Sequence, residues 1–318
     1  RYNSIPSPRP DSRLLLEGDV EAVLSDPRWN PTGRKLGDEE KITSLVSAFR
    51  KITFKKVIIL FLAGFGIAGG LVLGLLAWGL FLGLFSRLRE HWETPGWDRQ
   101  IAWGIFVSVP LFKMALYETL RSGDKELSFP VIFAGYLIST TIFLALLFYF
   151  VKKICGLSLT SLGFRFKKSF KKVLLGFGGY FAAFPTVLSL AIISQLVLKL
   201  PSFSSNPMIK SVLNYPQGWE ALALLLLIGF IGPFFEEILF RGFLYPTLKS
   251  FLGRGWGILL SAFIFSLLHS DPAGLLPILG LGILLTLLYE NSGSILPSFI
   301  THSLWNLSVY FLLTQLFV

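Results

Sequence analysis

Residues 221–244 have the sequence ALALLLLIGFIGPFFEEILFRGFL, and this stretch decides the fold class. It is long enough to cross a lipid bilayer, which requires about 20 apolar residues. The same stretch contains Glu236, Glu237 and Arg241. A charged side chain inside a membrane is costly, and ionisable residues found there usually have a function. The stretch therefore predicts both a membrane-spanning helix and a functional site.

The rest of the sequence contains further apolar runs of comparable length. Over the whole chain 53% of residues are hydrophobic and 15% are charged, against about 25% charged in an ordinary soluble protein. The run at 101–120 is ambiguous because Pro110, Lys113 and Glu118 interrupt it. We therefore expect an all-α integral membrane protein, a bundle of seven or eight transmembrane helices with the functional motifs on the C-terminal four. The further runs are residues 57–85, 101–120, 130–151, 173–198, 256–269, 273–289 and 295–318.

The basic residues indicate how the chain is oriented in its membrane. The net charge is +10, and the densest basic cluster lies at 152–172. Basic loops face the cytoplasm and attract anionic lipid headgroups. We therefore place 152–172 on the cytoplasmic side, and we expect the lipid bilayer rather than a nucleic acid as the partner of these charges. The sidedness of the N-terminus depends on whether 101–120 spans. A bacterial inner or plasma membrane is expected rather than an organelle membrane.

Composition divides the chain into three segments. Residues 1–56 are rich in proline and charge, which is typical of an extramembrane, partly disordered tail. Residues 57–219 contain the N-terminal transmembrane helices and the basic loop, and residues 220–318 form the proposed catalytic core. Cys155 is the single cysteine, which excludes an intrachain disulfide framework and a cysteine-based zinc site.

The spacing of the charged residues in 221–244 suggests two different roles for the glutamates. Glu237 and Arg241 are four residues apart, so they share a helix face and can form an ion pair. Glu236 is rotated by about 100° from Glu237 and remains freer to accept a proton. Pro233 is expected to kink or start the helix, and the Tyr245-Pro246 dipeptide is expected to end it.

Two histidines lie in the same apolar part of the chain. His269 ends the run 256–269, while His302 and Asn306 are one turn apart on one face of the last run. From residue 130 to residue 318 there are only five acidic residues, and two of them are the adjacent Glu236 and Glu237. We expect these scarce ionisable groups to form one site.

Three motifs in this region resemble those of a known family. EExxxR is present at residues 236–241, FxxxH at Phe265–His269 and HxxxN at His302–Asn306. In this order, each on an expected membrane helix, they resemble the CAAX-prenyl protease and bacteriocin-processing family, the intramembrane peptidases also called type II CAAX endopeptidases. The resemblance covers roughly residues 221–312.

The resemblance implies hydrolysis of a peptide bond in or near the membrane. It implies that Glu236 and His269 activate a water molecule, and that His302 and Asn306 stabilise the oxyanion. Such a reaction needs a base for the water and hydrogen-bond donors for the developing charge. The implied substrate is a membrane-associated or lipidated protein or peptide.

Glu237 and Arg241 have a supporting role in the family, in agreement with the ion pair expected from their spacing. Members are often described as metalloproteases, and Glu236, His269 and His302 are donors that suit zinc. No HExxH motif is present, and a zinc site would use the best candidate base as a ligand. We expect a reaction without a metal or other cofactor, with a divalent metal such as zinc as the alternative.

Two other functions fit part of the pattern. A non-proteolytic scaffold or immunity protein of the same fold would not need the complete motif set. A proton-coupled transporter also uses membrane-embedded carboxylates and histidines, but the sequence contains no internal repeat of the kind that many transporters have. The sequence predicts neither the oligomeric state nor the identity of the substrate.

Overall fold

The computed structural model describes residues 69–81, 92–120, 128–196, 218–269 and 274–317, with positions 83, 211, 212, 214 and 272. These residues are helical with short connections and include no strand. The expected tail, residues 1–56, lies outside the described residues. The helices in chain order are α1 (Gly69–Phe81), α2 (Arg99–Leu120), α3 (Phe129–Tyr149), α4 (Ser169–Leu196), α5 (Gly218–Leu268), α6 (Leu275–Ser292) and α7 (Ile295–Phe317).

Four helical segments among the described residues are long and apolar enough to cross a membrane. The expected all-helical architecture is therefore confirmed, whereas the count of seven or eight spans stays a prediction. One reason for the lower number is that α5 includes the expected run 221–244 and all but the last residue of the expected run 256–269. Gly69–Phe81 and Gln100–Leu116 are apolar but shorter. The four segments are Phe129–Ile154, Ser169–Gln195, Gly218–Leu268 and Leu275–Ser292.

The helix α5 is 51 residues long and is irregular near the glutamates. Two stretches of it are π-helical, Leu227–Ile231 and Glu237–Leu244. The π-helix is rare and often marks functional sites. Pro233 lies in the first turn of the short α-helical segment between them, where a missing N–H is tolerated. The helix thus continues past this proline.

The prediction that Tyr245-Pro246 ends the helix is wrong. Pro246 lies in the first turn of the α-helical segment Tyr245–Leu268, directly after a π-helical stretch, and a proline in a first turn does not stop a helix. The helical path breaks instead at Gly253, with φ 75° and ψ 176°. A residue with a Cβ adopts such a φ only with strain.

Close packing between α4 and α7 fixes the position of the last helix. A Cβ at Gly176 would lie 2.7 Å from Cβ of Ile300, and one at Gly179 would lie 2.9 Å from Oγ1 of Thr301. The Thr301 hydroxyl also donates a 2.8 Å hydrogen bond to the carbonyl of Gly176. Small residues permit this approach of membrane helices. The contact fixes the helix turn that carries His302.

A buried carboxylate joins α6 to α5 away from the glutamate pair. Glu290 is 2% exposed and accepts hydrogen bonds from the Tyr245 hydroxyl at 2.8 Å and from the Lys249 ammonium at 2.7 Å. Its backbone carbonyl accepts a 3.0 Å bond from the Trp92 indole. These partners satisfy a charge that would otherwise be costly to bury, so the cluster holds the C-terminal part of α6 against α5.

Candidate active site

The structure brings Glu236, Glu237, His269 and His302 together. The two glutamates lie in α5 where the α-helical segment Gly232–Glu236 meets the π-helical stretch. His269 follows the last residue of α5, and His302 lies about two turns into α7. Residues far apart in the chain thus meet around one carboxylate.

Glu236 faces both imidazole rings. Its Oε2 atom lies 3.8 Å from Nε2 of His269 and 3.7 Å from Nε2 of His302. Both separations are longer than a direct hydrogen bond. The Glu236 side chain is 26% exposed and that of His269 is 31% exposed, so these two groups form the accessible part of the site.

Glu237 lies in the buried part of the site. One of its oxygens, Oε1, accepts hydrogen bonds from Arg241 Nη1 at 2.8 Å and from His302 Nδ1 at 2.9 Å. The side chains of Glu237, Arg241 and His302 are each at most 1% exposed. The ion pair expected from the i, i+4 spacing is present, and the additional bond from His302 was not predicted. Because a buried carboxylate is strongly destabilising without partners, these two donors explain how Glu237 is tolerated.

Arg241 has further partners besides Glu237. Its Nη2 atom donates to the carbonyl oxygen of Gly282 in α6 at 3.3 Å, and its guanidinium lies 4.3 Å from the centroid of the Phe265 ring. The Phe265 ring also packs edge-on against His269 and His302, with centroids 4.6 and 5.7 Å apart. The phenylalanine of the FxxxH motif thus contacts the arginine and both histidines.

Hydrogen bonds donated by the Nδ1 atoms define how both imidazoles face Glu236. Nδ1 of His269 lies 2.8 Å from the carbonyl oxygen of Phe265. A carbonyl oxygen only accepts, so this Nδ1 carries a proton. The same argument applies to His302, whose Nδ1 faces the Glu237 carboxylate. Whenever one of these rings is neutral, it therefore presents an unprotonated Nε2 toward Glu236.

Asn306 connects α7 to the irregular part of α5. Its amide nitrogen donates a 3.0 Å hydrogen bond to the carbonyl oxygen of Ile228. In the π-helical turn the N–H of Gly232 bonds to the carbonyl of Leu227, five residues earlier. By the same spacing, the carbonyl of Ile228 would accept from the N–H of residue 233, which is a proline. Proline has no N–H, and Asn306 supplies the missing donor.

The donor atoms of the site also bear on the metal alternative. Carboxylate oxygen and imidazole nitrogen are ligands that zinc accepts, and Glu236, His269 and His302 provide them. Within the described ranges, however, no group of three or more histidine, cysteine, aspartate or glutamate side chains is arranged to hold a metal ion.

Sequence reasoning missed several contacts that complete the site. The carbonyls of Gly282 and Ile228 are backbone groups, and a sequence contains no direct signal for them. Pro233 is an indirect signal for Ile228, because a proline inside a helix always leaves a carbonyl without its usual partner. Phe265 was noted only as part of a motif, although its ring contacts three of the ionisable side chains.

Comparison with known proteins agrees with the motif analysis. No curated protein and no solved structure was found to match the chain. Residues 218–308 match the family described as type II CAAX prenyl endopeptidase Rce1-like, and this range contains all three motifs. With the four apolar helical segments, the match supports a multi-pass integral membrane protein. The predicted resemblance is thereby confirmed: residues 218–308 are similar to the Rce1-like type II CAAX prenyl endopeptidase domain.

Proposed function

We propose that the chain is an intramembrane endopeptidase that hydrolyses a peptide bond of a membrane-associated or lipidated protein or peptide. The observation that carries this proposal is the approach of one Glu236 oxygen to the Nε2 atoms of His269 and His302, at 3.8 and 3.7 Å. The endopeptidase description of the matching family supports it.

In the proposed reaction Glu236 and His269 activate water. Groups at these separations can be bridged by one water molecule that hydrogen-bonds to both. The Glu236 carboxylate and the unprotonated Nε2 of His269 are both acceptors, so together they can remove a proton from that water. The resulting hydroxide attacks the carbonyl carbon of the scissile peptide bond, and the carbonyl oxygen becomes an oxyanion.

His302 and Asn306 are proposed to stabilise this oxyanion. Because Nδ1 of His302 already donates to Glu237, its Nε2 can donate only when the ring is an imidazolium. The buried Glu237 carboxylate stabilises that cation. The Asn306 amide has two N–H groups; one is donated to Ile228, and the other remains for the oxyanion. Donors of this kind are strong in a site with little water.

The reaction ends with cleavage of the C–N bond. The proton taken from water passes from Glu236 to the leaving nitrogen, and the products are an amine and a carboxylic acid, which then ionises. Glu237 and Arg241 do not exchange protons in this scheme. They hold His302 in place through the 2.8 and 2.9 Å bonds to Oε1 of Glu237.

We propose that this scheme operates without a metal ion. In the alternative, Glu236, His269 and His302 would be ligands of zinc or another divalent cation, which would polarise the water and the carbonyl. The difference concerns Glu236, which cannot serve as a free base while it binds a cation.

The proposed location is a bacterial inner or plasma membrane, with 152–172 facing the cytoplasm. Exposed aromatic and basic side chains are neighbours near the end of this segment, and such a surface suits the interface between anionic headgroups and acyl chains. The exposed residues of the segment include Phe166, Lys167, Lys168, Phe170 and Lys171.

The proposal is tested by Glu236→Ala and His269→Ala in the cell that produces the protein. Comparison of protein termini by mass spectrometry is expected to show an uncleaved precursor in both variants. Glu93→Ala removes an exposed carboxylate and is expected to process the same precursor normally. Unchanged termini in both site variants would refute the endopeptidase proposal. If both variants also keep the cellular function of the wild-type protein, the scaffold or immunity function is favoured.

A further inference from the structure

One face of α3 and of the π-helical turn that extends it carries an aromatic residue at every seventh position. Seven residues are close to two helical turns, so these side chains lie along one stripe. Three members are phenylalanine and one is tyrosine, so the stripe has a single polar member. Its residues are Phe129, Tyr136, Phe143 and Phe150.

The stripe packs along α5, the helix that carries both glutamates. The phenylalanines contact aromatic rings of α5 in the same chain order, so the two helices run in the same direction. The ring centroids are 5.6, 5.6 and 6.2 Å apart in the pairs Phe129–Trp219, Phe143–Phe235 and Phe150–Phe243.

Tyr136 faces a glycine of α5 instead of a ring. A Cβ at Gly232 would lie 3.6 Å from the Tyr136 hydroxyl oxygen. Gly232 and Glu236 are four residues apart and share a helix face. The hydroxyl therefore lies beside the part of α5 from which the Glu236 side chain extends. The phenol also interacts electrostatically with the Glu236 carboxylate.

The chemistry of the two groups is complementary. A phenol hydroxyl is both a donor and an acceptor, and it usually finds a partner when buried. Oε2 of Glu236 faces the two Nε2 atoms and makes no hydrogen bond to any described residue. A donor from the α3 side would therefore bond to the other carboxylate oxygen, Oε1, and leave Oε2 free. The Thr140 hydroxyl, one turn along α3, lies beside the same phenol and can donate to its oxygen while the phenol donates to Glu236.

We propose that Tyr136 is a positioning residue of the hydrolytic site, whose hydroxyl donates to the Glu236 carboxylate and holds it facing His269 and His302. Tyr136 lies outside the matched range 218–308, and its catalytic consequence rests on the proposed endopeptidase function. A carboxylate held from the α3 side keeps its free oxygen directed at the imidazoles, so removal of the hydroxyl affects turnover rather than substrate binding.

The experiment compares Tyr136→Phe with Tyr149→Phe in the full-length protein. Tyr149 lies on the same helix and is 60% exposed, so it is the matched control. The first probe is dicyclohexylcarbodiimide, with the rate of labelling at Glu236 followed by mass spectrometry in intact membranes. An oxygen released from a hydrogen bond attacks the carbodiimide faster, so Tyr136→Phe is expected to be labelled at least about threefold faster than the control.

The second measurement uses a synthetic peptide that copies a cleavage site found by comparing wild-type and Glu236→Ala cells. Tyr136→Phe is expected to lower kcat about 10- to 100-fold, the effect of one hydrogen bond to a charged group. KM and the unfolding temperature should match those of the control.

The inference is overturned if Tyr136→Phe equals Tyr149→Phe in either the labelling rate or kcat. Failure of the proposed function gives a different result. In that case Glu236→Ala causes no change of protein termini, while the labelling rate still reports whether Tyr136 contacts Glu236.

Discussion

Replacement of Arg241 by methionine removes the charge that balances Glu237. Methionine keeps an unbranched apolar chain that can occupy the space beside Phe265, so packing changes less than it would with alanine. The substitution removes the 2.8 Å bond to Glu237, the 3.3 Å bond to the Gly282 carbonyl and the contact with the Phe265 ring at 4.3 Å. The carboxylate of Glu237 keeps the 2.9 Å bond from His302 but loses the arginine that balances its charge.

The expected loss of stability is large because none of these groups reaches water. Glu237 and Arg241 are each 0% exposed. Removal of one member of a buried ion pair typically costs about 3–5 kcal/mol, most of it from the charge left behind. We therefore expect Arg241→Met to lower the free energy of unfolding by about 3–5 kcal/mol.

The double variant Glu237→Gln, Arg241→Met separates this charge effect from packing. Glutamine is neutral and can still accept the hydrogen bond from His302. Without an unpaired charge, the double variant is expected to regain about 0.5–3 kcal/mol relative to Arg241→Met, the range over which residues in direct contact couple. Its activity should stay low, because a neutral partner no longer stabilises the His302 imidazolium.

The measurement is the free energy of unfolding in mixed micelles, obtained by adding sodium dodecyl sulfate to protein in a mild detergent. Arg254→Met is the matched control. Its side chain is 47% exposed and its Nε lies 3.4 Å from Glu290, so about 0–1 kcal/mol is expected there. A loss for Arg241→Met no larger than the control, or a double variant less stable than Arg241→Met, would refute the reasoning about a buried compensated pair.

Three further predictions concern a glycine contact, the Asn306 hydrogen bond and the removal of metal ions. Gly242→Ala places a Cβ 2.5 Å from the Leu162 carbonyl oxygen and should lower the free energy of unfolding in micelles by about 1–3 kcal/mol. Gly104→Ala is the control, because its Cβ would meet nothing within 4 Å, and it should leave stability nearly unchanged. Asn306→Leu leaves the Ile228 carbonyl without its side-chain donor and should cost about 1–3 kcal/mol as well as lowering peptide cleavage. Cleavage should survive prolonged chelation with no metal detected by elemental analysis, and activity lost on chelation and restored by zinc would contradict the metal-free scheme.

Contacts within one helix were the most predictable part of the site. The i, i+4 relation of Glu237 and Arg241 follows from helix geometry alone, and their ion pair is present in the structure. The rotation between Glu236 and Glu237 is also local, and it places one carboxylate in the accessible part and the other in the buried part. The ion pair and the rotation are both present despite the π-helical stretch, because Glu236, Glu237 and Arg241 all lie on one continuous helix.

Local rules failed where an irregular backbone changed the role of a residue. Pro246 resembles a helix terminator, yet it occupies the first turn after a π-helical stretch and the helix continues. The break occurs seven residues later at Gly253, where the positive φ of 75° ends the regular path. Sequence rules for proline assume a regular helix before it, and that assumption does not hold after residues 237–244.

Contacts between helices could not be predicted, because they depend on which faces pack together. His302 was expected near the site from its motif, but its bond to Glu237 requires the approach of α7 that the Gly176–Thr301 contact permits. The same is true of Tyr136, which belongs to an apolar run with no motif. Periodicity does identify the aromatic stripe of α3, but only the structure shows that its polar member faces Gly232.

The irregular backbone of α5 and the placement of Asn306 are two results of one sequence feature. Pro233 cannot donate to the Ile228 carbonyl, so an outside donor is needed, and Asn306 supplies it from the helix that also carries His302. That bond links the third motif to the turn preceding Glu236. The proline and the asparagine therefore add a second constraint, besides the α4–α7 packing, on how α7 lies against the glutamates.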